Sequence, residues 1–71
     1  MNKDRKDAME VIQFTGDAAS QLRALPIGEF IAWPGAYYWQ ANGARQRAQE
    51  KTGQRYNIKR EGMFVIVTRT A

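Results

Sequence analysis

Along this chain the spacing of apolar positions alternates between the two-residue period of a strand and the three-to-four-residue period of a helix. Glu10–Phe14 (EVIQF) is β-branched or aromatic at three of five positions. That predicts a short edge strand, although the helix formers of DRKDAME leave open a helix begun near Asp4 that ends here. In TGDAASQLRAL, Thr15 or Asp17 can accept from the free amides of a helix start, and Pro26 disfavours helical geometry in the residue before it. A short helix near Asp17–Leu25 follows. Ile27–Trp33 (IGEFIAW) alternates and is assigned as a strand, closed by Pro34-Gly35.

The next stretch is helical. Tyr37, Ala41, Ala44 and Ala48 recur at i, i+4, i+7 and i+11 and share one stripe at about 100° per residue. Gly53 stands where a left-handed cap ends the helix near Thr52. Two starts are open. A helix from Tyr37 turns Trp39 almost opposite the alanine stripe. A helix from Asn42-Gly43 lets Trp39 fold inward with Tyr37 and Trp33. With so few aliphatic residues, Tyr37 and one Trp are expected inside. Residues Gln54–Arg60 and Met63–Thr70 predict a hairpin around a Glu61-Gly62 turn, with Ile58 facing Val65 and Tyr56 facing Val67. These four would face the helix. The other side would present Arg55, Asn57, Lys59, Phe64, Ile66 and Thr68, with Phe64 and Ile66 either covered by the N-terminal segment or left as an apolar patch.

The fold class predicted is α+β: a three-stranded, mainly antiparallel sheet with one main helix on one face. A flexible, charged start over residues 1–9 precedes a single compact domain over 10–71. Composition adds a constraint. The chain has 71 residues and no cysteine or histidine. A thin core must be held by packing alone, without disulfides or a Cys/His zinc site. Exposed strand edges on so small a core lead to the expectation of a homodimer. No apolar run is long enough to span a bilayer, and MNKDRKDAME lacks the apolar segment of a signal peptide. An intracellular, cytoplasmic protein without a membrane partner is expected.

Charge sharpens the functional picture. Net charge is +4, and residues 36–71 carry seven basic side chains against two acidic ones. Such asymmetry points to a polyanion or an acidic protein surface. Without His or Cys the common nucleophile–base pairs are missing, and no glycine-rich phosphate loop is present. Glu29 interrupts an apolar strand, but a carboxylate there more often pairs with a nearby Arg than acts as a general acid. Neither an enzyme nor a cofactor is therefore expected. The candidate binding residues are Arg45, Arg47, Lys51, Arg55, Lys59 and Arg60, which would neutralise phosphates or steer toward acids, with Trp39 and Phe64 as stacking or anchoring groups. Arg45 and Arg47 flank the alanine stripe, where they can equally cover the core edge while their charges stay wet.

The layout LPIGEF…W…ARQRAQEKTGQRYNIKREGMFVIVTR resembles small basic accessory proteins of bacteriophages and prophages. Leu25, Pro26, Gly28, Glu29 and Phe30 match the leading strand of that pattern. Arg45, Arg47 and Ala48 match its helix, and Tyr56, Ile58, Val67 and Arg69 its closing hairpin. The resemblance spans Leu25–Arg69. It implies a phage setting, hence the bacterial host cytoplasm, and either nucleic-acid binding or inhibition of a host protein. The first expectation is a nucleic-acid-binding protein (DNA before RNA) whose basic residues from Arg45 to Arg60 form one contiguous phosphate-contacting patch. The second is an inhibitor or modulator that binds an acidic surface of a host protein. A self-assembling structural role is the third expectation.

Overall fold

The computed structural model describes residues 10–71. The expected flexible start over 1–9 and the beginning of a helix from Asp4 lie outside the described residues; residues 10–14, where that helix would finish, are not helical. The elements are helix α1 (Ala18–Arg23), strand β1 (Phe30–Pro34), a short 3₁₀ turn (Gly35–Tyr37), helix α2 (Tyr38–Thr52), and strands β2 (Tyr56–Glu61) and β3 (Phe64–Arg69). They form an α+β domain in which β3 lies between β1 and β2 and runs antiparallel to both.

Local chemistry explains the boundaries. The Glu29 N–H donates to the Pro26 carbonyl at 3.1 Å, and Gly28 sits at φ 91. That is a turn needing a left-handed residue at its third position, which glycine supplies at no steric cost. Ile27 and Gly28 are therefore spent on the turn, and β1 begins three residues later than the alternation predicted. Glu29 lies just before the strand, half-buried, and its carbonyl accepts from the Arg69 N–H at 3.0 Å. At the far end of α2, Gly53 takes the left-handed cap and donates to the Gln49 carbonyl at 2.7 Å.

The hairpin corrects the predicted register. Glu61 pairs with Phe64, so the two-residue turn is Gly62-Met63, with Gly62 at φ 62. A positive φ at the first turn position matches the right-handed twist of a tight hairpin, and glycine accepts it. Ile58 therefore faces Val67, not Val65, and Tyr56 faces Arg69. The pairing sum moves by two residues, an even step, so every side chain keeps its predicted face.

The core lies between the sheet and the two helices. Leu22, Trp33, Val65, Val67 and the alanines of α2 are fully buried, and Ile31 and Ile58 pack against them. Ala41, Ala44 and Ala48 let α2 lie close to the sheet. The first segment docks here as well. Phe14 stacks on Tyr37 (5.1 Å between centroids, 7° between planes) and meets Trp33 edge-on at 5.1 Å. The expected edge strand is a single parallel bridge, Val11 to Ala32, with the Ile12 N–H donating to the Ala32 carbonyl at 3.0 Å. Tyr37, expected inside, is 38% exposed. It belongs to the 3₁₀ turn, outside the helical phase that buries the alanines. On the other face of the sheet Ile66 is buried and Phe64 half-buried.

Candidate functional site

Helix α2 begins at Tyr38, which settles the orientation of the aromatic triplet. At about 100° per residue, three consecutive aromatics cannot share a face. Tyr37 leans on Phe14, Tyr38 turns toward the β2 flank, and Trp39 points outward at 72% exposure. The Tyr38 and Trp39 rings meet edge to face at 5.0 Å and 89°. From β2, Arg60 lays its guanidinium over the Tyr38 ring, 4.5 Å from the centroid. The result is a short ladder of Arg60, Tyr38 and Trp39, with its last ring open to solvent.

The hairpin turn completes this end of the molecule. The Gly35 N–H donates to the Met63 carbonyl at 2.8 Å, which fastens the turn to the β1–α2 connection. Met63 itself is 83% exposed. Arg60 also reaches toward the Gly35 carbonyl, at 3.5 Å. Trp39, Tyr38, Arg60 and Met63 thus gather where β1 hands over to α2, on backbone fixed by a hydrogen bond.

The basic side chains do not form one surface. Arg45 and Arg47 lie on opposite flanks of α2, as a separation of two residues dictates. Arg45 is half-buried along the helix, its guanidinium donating to Asn42 Oδ1 (2.7 and 3.1 Å) and Gln49 Oε1 (2.9 Å). Arg47 and Lys51 share a shallow, open recess with Glu50. Lys59 lies on the sheet face away from α2, 3.7 Å from Glu61. Arg55 precedes β2, where its backbone pairs with Thr70 and Ala71. Arg60 alone of this group joins Trp39. Phe64, opposite Glu61 and Pro34, is on the same sheet face as Lys59 and apart from Trp39. The contiguous cationic patch expected from Arg45 through Arg60 is dispersed over both flanks of the helix and the two faces of the sheet. Arg69, which completes the basic half, donates to the Leu25 carbonyl at 2.8 Å and the Ala71 carbonyl at 3.0 Å.

Tyr38 and Met63 were not singled out from the sequence. Tyr38 joins the site because a strand 22 residues later places Arg60 on it, a relation no local pattern carries. Met63 is exposed because the turn is Gly62-Met63. Away from this end, burial pushes the Tyr56 hydroxyl above its ordinary pKa, with Arg69 and Arg23 partly opposing the shift. That hydroxyl donates to the Gln54 side chain.

Among the described residues no group of three or more His, Cys, Asp or Glu could hold a metal ion, and no helix is long and apolar enough to cross a membrane. Comparison with family models, with curated proteins and with solved structures finds no match to this chain.

Proposed function

We propose that this protein is a non-enzymatic binding domain that engages an acidic surface of another protein through the Trp39–Tyr38–Arg60 end. One observation carries the reading: Trp39 is 72% exposed in a chain with only two tryptophans, and the Arg60–Tyr38 pair stands against it. Indole, phenol and guanidinium are the groups that dominate protein–protein hot spots, because each buries a large area with little entropy lost. Exposed Met63 offers an adaptable apolar neighbour. The net charge of +4 favours encounter with acids. The resemblance to phage accessory proteins extends the proposal to a bacterial host protein as target, with the chain as its modulator.

Nucleic-acid binding is the second reading. It is favoured by the same bare indole beside a guanidinium, which suits stacking of an unpaired base. Dispersal of Arg45, Arg47, Lys51, Arg55 and Lys59 limits how many phosphates one strand can meet at once. A track of several phosphates, and the steep salt dependence that accompanies it, is therefore not expected.

The test is capture of partners by immobilised protein from nuclease-treated bacterial lysate, with Trp39→Ala and Arg60→Glu alongside. The protein-binding reading expects a stoichiometric partner that survives nuclease, is lost with either variant, and is mapped to an acidic patch by charge reversal on its own side. Loss of all binding on nuclease treatment transfers the conclusion to nucleic acid. Binding unchanged in both variants overturns the assignment of this end.

A further inference from the structure

Strand β2 forms one edge of the sheet, and no described residue pairs with its outer side. Its alternation fixes which backbone groups face outward. The Thr70 N–H donates to the Arg55 carbonyl at 2.8 Å, and Glu61 closes the two-residue turn against Phe64. Odd-numbered residues of this strand therefore bond to β3, and Tyr56, Ile58 and Arg60 turn their N–H and C=O groups to the open edge. Such a row is a template for another strand. In a domain of 71 residues without disulfides, added burial is worth more than in a larger one.

We propose that two copies of this chain pair antiparallel through β2, about a two-fold axis at Ile58, to make one continuous sheet. The register follows from the side chains. With Ile58 opposite Ile58 of the second copy, Tyr56 meets Arg60 and Arg60 meets Tyr56, so every outward N–H and C=O gains a partner. On the other face Asn57 meets Lys59, and Arg55 meets Glu61 at both ends of the ladder. No like charges stand opposite one another, and an opposite-charge pair closes each end. Moving the axis to Lys59 sets two lysines face to face. Moving it to Asn57 takes Arg60 past the start of the partner strand. Lys59 would guard this edge against random pairing, yet in the Ile58 register it faces an amide. Glu61, 3.7 Å from its own Lys59, keeps negative charge on that face. Ile58 is half-buried against the core, and the second copy would cover the remainder. The proposal shares Arg60 with the Trp39 site but uses its backbone groups, whereas that site uses its guanidinium over Tyr38.

The test is sedimentation equilibrium of the full chain from about 5 to about 500 μM, with hydrogen exchange read amide by amide over the same range. The expected result is a doubling of the 8.1 kDa mass as concentration rises. The amides of Tyr56, Ile58 and Arg60 should slow in step with it, while those of Asn57, Lys59 and Glu61 are protected throughout. Arg55→Glu and Glu61→Arg should each weaken association about tenfold, by placing like charges at both ends of the ladder, and the two together should restore it. A chain monomeric up to the highest concentration overturns the proposal. So does a dimer in which those three amides exchange as fast as in dilute solution, or single charge reversals that leave association unchanged.

Discussion

Replacing Gly35 by alanine should destabilise the domain out of proportion to the one methyl group added. The backbone angle at Gly35 lies outside the left-handed region, so the conformation itself is open to alanine. Space is the obstacle. A Cβ built there falls 2.9 Å from the Met63 carbonyl oxygen, 3.2 Å from its carbon and 3.5 Å from the Phe64 nitrogen. All three are backbone atoms of the hairpin and have no rotamer to retreat into. Relief means moving the turn by roughly half an ångström, and the 2.8 Å bond from Gly35 N–H to the Met63 carbonyl lies in the way. Losing that bond costs about 1 kcal/mol, and strain of this kind adds about 1–2 kcal/mol. The sum, about 2–3 kcal/mol, is a large part of the stability of about 4–10 kcal/mol expected for a chain of this length. Urea unfolding followed by Trp33 fluorescence, in a Trp39→Phe background, measures it. With a slope of about 1 kcal/mol per molar, the midpoint should fall by about 2–3 M. Gly43→Ala is the control, because its added Cβ meets only the tip of Arg47 at 3.5 Å. In a helix interior that change should stabilise by about 0.5–1 kcal/mol. A Gly35→Ala midpoint within about 0.5 M of the parent would refute the steric reasoning.

Three further outcomes are expected. Ala44→Leu, placed in the fully buried stripe between α2 and the sheet, should cost about 1–3 kcal/mol by the same urea assay. The folded state holds the proton of Tyr56 more tightly than the unfolded chain does. Its contribution is therefore complete below the unfolded pKa of about 10 and is lost as pH rises through that value toward the folded one. The alkaline decline in stability should accordingly be shallower in Tyr56→Phe, read as urea midpoint against pH. Trp39→Ala should leave the unfolding free energy within about 0.5 kcal/mol of the parent, since the side chain is mostly in water. A larger loss would place Trp39 in the fold.

Much of the architecture was legible because short-range periods carry it. The spacing of Ala41, Ala44 and Ala48 named the buried stripe of α2, and alternation in β2 and β3 named the face turned toward the helix. The hairpin register was missed because Glu61-Gly62 and Gly62-Met63 both place glycine in the turn, and an even slip leaves the hydrophobic pattern unchanged. The start of β1 was missed because Ile27 and Gly28 continue the alternation while forming a turn closed on Pro26. The candidate site was less legible. Helical phase already set Arg45 and Arg47 on opposite flanks, but whether Arg55, Lys59 and Arg60 rejoined either one depended on how β2 crosses the helix. Arg60 instead reaches Tyr38 at the start of α2, and Lys59 lies on the other side of the sheet.

The sheet order has a consequence for how the chain matures during synthesis. Its middle strand is made after both of the strands that flank it. Until β3 leaves the ribosome, β1 and β2 have nothing to zip onto, and the apolar side of α2 has no floor. Assembly of this sheet must therefore wait for β3 and then proceed almost at once. A nascent chain stalled just after Glu61 should be as open to protease as an unfolded one.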